Sequence, residues 1–191
     1  MEVFMKRFGI VLSLFLFLGL PSISHSKTPL EVINQLSLQN IQNVINWKVG
    51  EWTDYDLEFF IPGSMRKEVT SDEGDALWMT QTMDMGFLGK VDSKVKISRK
   101  TGEILELWVN GQKQEVPHPK IDIVKQEEDR ITVPAGTFDT IKVTVKDRET
   151  GKLTIIWLNP RDIPMDGTVQ METESEYGQM TLKLKDFGFA K

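Results

Sequence analysis

Residues 131–146 read "ITVPAGTFDTIKVTVK", two runs of alternating apolar and polar residues that are interrupted at Pro134. Alternation with a period of two is typical of a β-strand with one buried face. Pro134 cannot donate a hydrogen bond to a sheet, and Gly136 tolerates a positive φ. The stretch therefore predicts two antiparallel strands joined by a tight turn or bulge at "PAG". We interpret this turn as structural and not as a phosphate-binding loop, because no glycine-rich run or lysine opens a helix there.

Short alternating runs separated by turn residues continue over most of the chain, and they predict about ten or eleven strands. The charged stretch "KQEED" at 125–129 is predicted to be a loop between the strands "IDIV" and "RITV". A large sheet curls or closes as its twist accumulates. The predicted fold class is mainly β, a single strongly curved antiparallel sheet in the form of a half-barrel or open barrel. The turn signals are "PGS" at 62–64, "DEGD" at 72–75, "KTG" at 100–102, "NG" at 110–111 and "ETG" at 149–151.

One amphipathic helix is predicted near the N-terminus, in "KTPLEVINQLSLQNIQNVINW" at 27–47. Thr28 is suited to cap this helix, Pro29 to its first turn, and Glu31 completes a capping box with Thr28. Apolar residues that include Ile33 and Ile41 follow at helical spacing. We expect the helix to span 29–45 and to bury its apolar stripe on the concave face of the sheet.

The first 26 residues have the pattern of a secretory signal peptide. Two basic residues precede an uncharged, mostly apolar run from Phe8 to Leu20, and the small residues Ser24 and Ser26 occupy the −3 and −1 positions of a cleavage site. An uncleaved N-terminal anchor is the alternative, but the apolar run is short for a membrane span. We expect a periplasmic or secreted protein. The predicted domains are a signal peptide over 1–26 and a single β-rich domain over 27–191.

Composition argues against several classes of function. Residues 27–191 carry 21 basic and 27 acidic residues, a net charge of about −6, which argues against nucleic-acid binding. The chain has no cysteine, and outside the signal peptide its one histidine is His118. A lone histidine forms neither a catalytic triad nor a multi-histidine metal site, and "SDEGD" at 71–75 lacks the spacing of a calcium loop. We expect no enzyme, no catalytic residues, no metal and no cofactor.

Four phrases resemble an uncharacterised family of secreted bacterial proteins with a V-x-A-G-T-F signature. They are "WKVGEWTDYDL" at 47–57, "VPAGTFDTIKV" at 133–143, "IWLNPRDIPMDGTV" at 156–169 and "LKLKDFG" at 182–188. At the level of fold, that family is similar to the periplasmic carriers of the lipoprotein-localisation system, whose half-barrel binds acyl chains. The resemblance implies an acyl-chain carrier fold and supplies no catalytic residues, and fold alone does not imply function.

Seven methionines and five tryptophans follow residue 26, and such side chains either fill a core or line a hydrophobic site. We expect an envelope protein that binds or carries a lipid or another hydrophobic small molecule. The alternative is a non-catalytic scaffold that docks to another envelope protein through a sheet edge or the basic run 90–100. That run also suggests peripheral membrane contact through anionic headgroups, although a solvated face is the favoured explanation. The predicted ligand-binding residues are Trp78, Met79, Met83, Trp108, Leu153 and Trp157.

Overall fold

The computed structural model describes residues 45–117, 120–175 and 178–191, and these ranges form one β-sheet. Gly86–Leu88 forms a short 3-10 helix between the third and fourth strands. The eleven strands are β1 Trp52–Glu58, β2 Gly63–Asp72, β3 Ala76–Asp84, β4 Lys90–Ser98, β5 Ile104–Val109, β6 Gln112–Gln114, β7 Ile121–Val133, β8 Gly136–Asp147, β9 Leu153–Leu158, β10 Thr168–Ser175 and β11 Gly178–Gly188.

All neighbouring strands pair antiparallel, in the order β6-β5-β4-β3-β2-β1-β11-β10-β9-β8-β7. The first and last strands lie side by side, whereas every other pair joins neighbours in sequence. The sheet is not closed, because β6 and β7 stand at its two ends. The prediction of a mainly β fold with one antiparallel sheet is confirmed. The predicted signal peptide and the predicted helix 29–45, apart from Ile45, lie outside the described residues.

The two faces of the sheet differ in burial, as period-two alternation requires. The inner face carries buried apolar side chains such as Tyr55, Met65 and Val95. The outer face carries mostly polar and charged side chains, among them Arg66 and Lys94. β3 shows this alternation clearly: its inner face presents Leu77, Met79, Gln81 and Met83, and its outer face presents Trp78, Thr80 and Thr82.

The turn at "PAG" forms the tip of the β7–β8 hairpin, and this tip lies over the sheet. Val133 pairs with Gly136, so Pro134 and Ala135 alone form the turn, and Gly136 has a φ of +141°. The amide of Ala135 donates to the carbonyl of Leu184 over 3.1 Å, although three strands separate β7 from β11 in the sheet order. The tip of the β7–β8 hairpin therefore folds over the inner face and packs on β11. The predicted tight turn is confirmed.

The loop 159–167 connects β9 to β10 and crosses to the other half of the sheet. Asn159 organises its start, since its side-chain oxygen accepts from the amides of Arg161 and Asp162. Met165 then packs into the core cluster of β2–β5, and Asp166 binds the ammonium of Lys67 over 2.7 Å. The loop thus links the β9–β10 half of the sheet to the β2–β5 half across the inner face.

The prediction of a loop at "KQEED" is wrong, because residues 125–129 lie within β7. β7 is an end strand that pairs only with β8, and a bulge between Ile123 and Lys125 shifts its register. Side chains on such a strand reach solvent easily, so charged residues are tolerated at consecutive positions. The apolar alternation that marks a half-buried strand is lost there, and local sequence therefore suggested a loop.

Candidate functional site

The structure divides the six predicted ligand-binding residues between the two faces of the sheet. Met79 and Met83 are buried on the inner face. The other four point to the outer face: Trp78 and Trp108 on β3 and β5, and Leu153 and Trp157 on β9. Leu153 is 42% exposed and Trp157 is buried. Only Trp78 and Trp108 are brought together at an open surface.

A groove on the outer face of β3, β4 and β5 contains these two tryptophans. It has a volume of about 610 Å³, and we call it the outer groove. Its walls combine two indole rings with hydroxyl, carboxylate and ammonium groups, a mixture typical of sites that hold a partly apolar small molecule. The lining residues are Trp78, Thr80, Thr82, Asp92, Ser93, Lys94, Glu106, Trp108 and Gly111.

Trp78 is held at one end of the groove by polar contacts. Its indole nitrogen donates to Glu73 Oε1 over 2.7 Å. The same carboxylate accepts from Lys96 Nζ at 2.6 Å, and these two bonds lower the pKa of Glu73, the Lys96 bond having the larger effect. The ring is therefore fixed in orientation rather than free to rotate, which reduces the entropy that a ligand would have to overcome.

Trp108 lies in the neighbouring part of the groove, directly opposite Lys94 in the β4–β5 register. Lys113 Nζ stands 5.9 Å from the centre of the Trp108 ring and binds Glu106 over 2.9 Å. The hydrogen bond from Lys113 is the main reason that the pKa of Glu106 lies below its usual range. Glu106 is thus ionised and already paired at neutral pH.

Lys94 is the cation among the residues that line the groove, and its charge adds to the lowering of the Glu73 pKa that the bonds from Lys96 and Trp78 mainly cause. Within the described ranges its ammonium takes part in no salt bridge, and its Nζ lies 4.3 Å from the centre of the Trp78 ring. Such a cation–π contact holds the side chain over the indole while leaving N–H donors for another acceptor. An anionic group entering the groove would meet Lys94 between the two tryptophans.

A cation over an indole recurs along the outer face, and sequence reasoning missed it. Besides the two groove residues, Trp52 lies under Arg66 at 4.3 Å and Trp157 under Lys142 at 5.0 Å. Four of the five tryptophans therefore occupy the outer face rather than the concave one. The available signal was the phase of Trp52 and Trp108, which alternate in step with Asp54 and Glu106. Trp157 gave no such signal, because Leu153 and Ile155 share its phase.

A polar row crosses the inner face between the two apolar core clusters. Thr53, Lys67 and Gln81 are paired in register on β1, β2 and β3, and all three are buried. Among the residues that the structure describes, neither Thr53 Oγ1 nor Gln81 Oε1 has a hydrogen-bond partner. Lys67 is neutralised by Asp166, which also accepts from the amide of Thr168. Burial favours the neutral acid at Asp166, yet these contacts keep its pKa below the usual value.

The basic run 90–100 is largely neutralised by its own neighbours. Lys90 binds Asp84, Lys96 binds Glu73, and Arg99 binds Asp72 while also donating to the carbonyls of Ile45 and Trp47. No group of three or more potential metal ligands occurs within the described ranges. These ranges also contain no helix with the length and apolar character needed to cross a membrane.

Comparisons with known proteins place this architecture among solved structures. A comparison with models of protein families finds no match, and a comparison with curated proteins finds none. The fold is similar to that of a hypothetical protein from Chlamydia trachomatis, with a TM-score of 0.50, 9% identity, and coverage of 75% of this chain and 89% of the other.

Two further solved structures give TM-scores of 0.41. One is described as an exported protein with a YmcC-like fold from Bacteroides fragilis, 9% identical, covering 74% of this chain and 96% of the other. The other is MucB, 11% identical, covering 83% of this chain and 57% of MucB. A TM-score of 0.41 does not establish a shared fold, and the likeness to the chlamydial protein shows a shared fold alone.

Proposed function

We propose that the protein is a secreted, non-catalytic binding protein of the envelope, and that the outer groove holds a single-chain amphiphile with an anionic head. The observation that carries this proposal is the meeting of Trp78 and Trp108 in one open groove beside the unpaired ammonium of Lys94. The site is thereby moved from the concave face, where Met79 and Met83 are packed into the core, to the outer face.

The apolar part of such a ligand would lie against the two indoles. Each methylene removed from water contributes about 0.8 kcal/mol, so four buried methylenes contribute about 3 kcal/mol before the costs of association. The groove is open, so part of an acyl chain would remain in contact with solvent. We therefore expect weak affinity, with a dissociation constant of about 1 mM or higher for a ten-carbon chain.

The head of the ligand would be selected by charge. Lys94 can donate to a carboxylate or phosphate oxygen, and its neighbour Lys96 is occupied by Glu73. Asp92 already accepts a hydrogen bond from Thr82 and Glu106 accepts one from Lys113, so each carboxylate is partly satisfied before a ligand enters. An anionic head is therefore favoured over a cationic one of the same length.

Calorimetric titration with decanoate and decanol, both below their aggregation limits, tests the proposal. Replacing Trp108 by Ala should weaken both ligands by about tenfold, since an apolar contact worth about 1.4 kcal/mol is lost. Replacing Lys94 by Met keeps the apolar stem over Trp78 and removes the charge. That variant should weaken decanoate by several-fold and leave decanol within about twofold.

Two controls lie on the same face outside the groove. Trp52→Ala removes an indole that also lies under a cation, and Lys142→Met removes a cation that lies over an indole. Both variants should bind decanoate as the wild type does, once circular dichroism has shown that they are folded. Absence of saturable binding by the wild type, or equal losses in the controls, would contradict the proposal.

The predicted helix 29–45 belongs to the same proposal, as a cover for the inner face. Ile45, the last residue of the predicted range, is not helical in the structure; it is buried and packs with Trp47, Val69 and Leu77 in the core cluster of β2–β5. The carbonyl of Ile45 accepts from Arg99, which fixes the point where the chain enters the sheet. This position supports a helix that approaches from the inner side, and its role would be to complete the core rather than to open a cavity.

Docking to another envelope protein is the second candidate function. The two surfaces predicted for it, a sheet edge and the basic run 90–100, receive little support. Among the described strands, the end strand β6 has only three residues, and the other end strand, β7, is bulged and rich in charge. Both features discourage the addition of a partner strand. The basic run 90–100 has most of its charges paired within the chain.

A further inference from the structure

Two loops at one end of the sheet expose phenylalanine side chains to solvent. The loop between β1 and β2 carries Phe60, which is 56% exposed, and the loop between β3 and β4 carries Phe87, which is 84% exposed. β2 and β3 are paired, with Ser64 opposite Asp84, so the two loops emerge next to each other. We call Phe60 and Phe87 the apolar tips.

Neighbouring apolar residues anchor each loop in the core and direct its tip outward. The larger of the two core clusters, which includes Tyr55 and Leu57, also contains Met85. Phe59 packs against this cluster, and so does Leu88. The β3–β4 loop is also closed by its own hydrogen bonds, from the amide of Met85 to the carbonyl of Gly89 and from the amide of Gly86 to Asp84 Oδ1. The tips are therefore held in place, and their exposure is part of the folded structure.

Neither loop contains a charged residue, and unlike the equally uncharged turns at 110–111 and 134–135 each loop exposes a phenylalanine. Residues 59–64 read "FFIPGS" and residues 85–89 read "MGFLG", with no charged side chain in either. The turns at 73–75, 99–103 and 148–152 each contain at least two charged residues. A loop that enters a low-dielectric medium must avoid charge, because desolvating an ion is costly.

Balanced charges stand directly behind the tips. Asp84 and Lys90 flank the β3–β4 loop and bind each other over 3.0 Å, and Glu58 at the start of the β1–β2 loop binds Lys183 over 2.8 Å. Each pair is neutral and presents both signs of charge. A layer of zwitterionic headgroups, with its phosphates and ammonium groups, is complementary to such pairs.

We propose that the apolar tips insert into the interface of a lipid bilayer and attach the protein peripherally to a membrane. Two protruding side chains on adjacent loops fit a soft, laterally uniform apolar medium, whereas a protein partner would require pockets matched to both tips. The net charge of the chain is −5, so general electrostatic attraction to anionic lipids cannot supply the binding. The attachment is therefore apolar and insensitive to salt.

Co-sedimentation with phosphatidylcholine vesicles tests this proposal. The wild type should bind, and its partition coefficient should change by less than about twofold between low and high salt, since apolar insertion is not screened. The double variant Phe60→Ser, Phe87→Ser should bind about tenfold more weakly or worse. Both side chains are exposed, so the variant should retain the melting temperature of the wild type.

Phe189→Ser is the matched control. Phe189 is 54% exposed, follows β11 at the opposite end of the sheet and, like Phe60, contacts another phenylalanine. This variant should bind vesicles as the wild type does. Failure of the wild type to bind, wild-type affinity in the double variant, or an equal loss with Phe189→Ser would overturn the proposal. So would a wild-type dimer in light scattering that Phe87→Ser dissociates and that does not bind vesicles, because the tips would then meet a second copy.

Discussion

The conformation of a single residue, Gly136, sets the turn that folds the β7–β8 hairpin over the sheet. Its φ of +141° lies in a region that residues with a Cβ rarely adopt. A Cβ added there would meet Phe138 at 3.6 Å, an ordinary contact, so the strain is in the backbone. We expect Gly136→Val to lower the free energy of unfolding by about 1–3 kcal/mol, measured by urea denaturation.

The neighbouring Pro134→Ala provides the comparison, because Pro134 is exposed and its replacement requires no change of φ. It should cost less than about 1 kcal/mol. Ligand binding by folded Gly136→Val should match that of the wild type, since the turn is remote from the outer groove. Selective loss of binding in a stable Gly136→Val protein would refute the structural interpretation of "PAG".

Lys67 is the residue whose loss should be most costly, because Asp166 depends on it. Lys67→Met would leave a largely buried carboxylate without its cation and should destabilise the fold by about 3 kcal/mol at pH 7. The pKa of Asp166 is lowered in the folded wild type, so its ionised form adds stability above about pH 4. That contribution disappears as the pH falls through the lower folded pKa.

The difference in unfolding free energy between wild type and Lys67→Met should therefore be largest at neutral pH and shrink as the pH falls through the lowered folded pKa of Asp166, below which Asp166 is protonated in both proteins. Adding Asp166→Asn to Lys67→Met should recover part of the loss at pH 7, because the unpaired charge is removed. A deficit that does not vary with pH would mean that lost packing, rather than the Lys67–Asp166 pair, accounts for the effect.

At individual positions the sequence predicted which side chains share a face, but not which face is concave. The alternation of Trp78 with Met79 is visible in the sequence and is confirmed by β3. Tryptophan has a larger apolar surface than methionine, so composition favoured tryptophan for the interior. The structure instead covers the outer tryptophans with Lys and Arg stems, an arrangement that depends on cross-strand neighbours and hence on register.

Among the elements, hairpins between adjacent strands were predictable and the edge strand β7 was not. Turns such as Asn110–Gly111 adopt the positive φ values that their residues favour, so local chemistry specifies them. β7 is extended because β8 pairs with it along twelve positions, from Ile121 to Val133. That pairing is tertiary information, and it overrides the low strand propensity of consecutive charged residues.

The helix predicted over 29–45 gives a test at the level of one element. Ile41 falls on its apolar stripe, so Ile41→Asp would place an unpaired charge against the core and should cost several kcal/mol. The melting temperature checks this, with Gln39→Asp as a control that adds the same charge on the polar side. Equal melting of Ile41→Asp and wild type would show that this stripe is not docked.

For the molecule as a whole, the pairing of β1 with β11 was beyond prediction. Trp52 pairs with Gly188, more than a hundred residues away, and no local pattern encodes such a contact. The number of strands and their antiparallel character followed from periodicity, whereas their order in the sheet did not. The outer groove likewise depends on order, because β3, β4 and β5 must be adjacent for Trp78 and Trp108 to meet.

Export is the property of the whole chain that a single mass measurement can check. We expect cleavage after Ser26 and a product that begins at Lys27 when the full chain is expressed in a bacterium with a general secretory pathway. Replacing Ser26 by a bulky residue such as Leu should block processing and retain the precursor in the membrane fraction. A wild-type product that keeps residues 1–26 would contradict the prediction.

The β1–β11 ladder also has a consequence for the order in which the protein is built. Strand β1 is made early and stays an unpaired edge until the last strand arrives, so the two halves of the sheet cannot join before the chain is complete. Exposed edges of partly folded chains promote aggregation, and contacts between distant residues form slowly. A chain that crosses a membrane unfolded and is released whole does not expose the β1 edge while β11 is still missing, because both terminal strands then become available together.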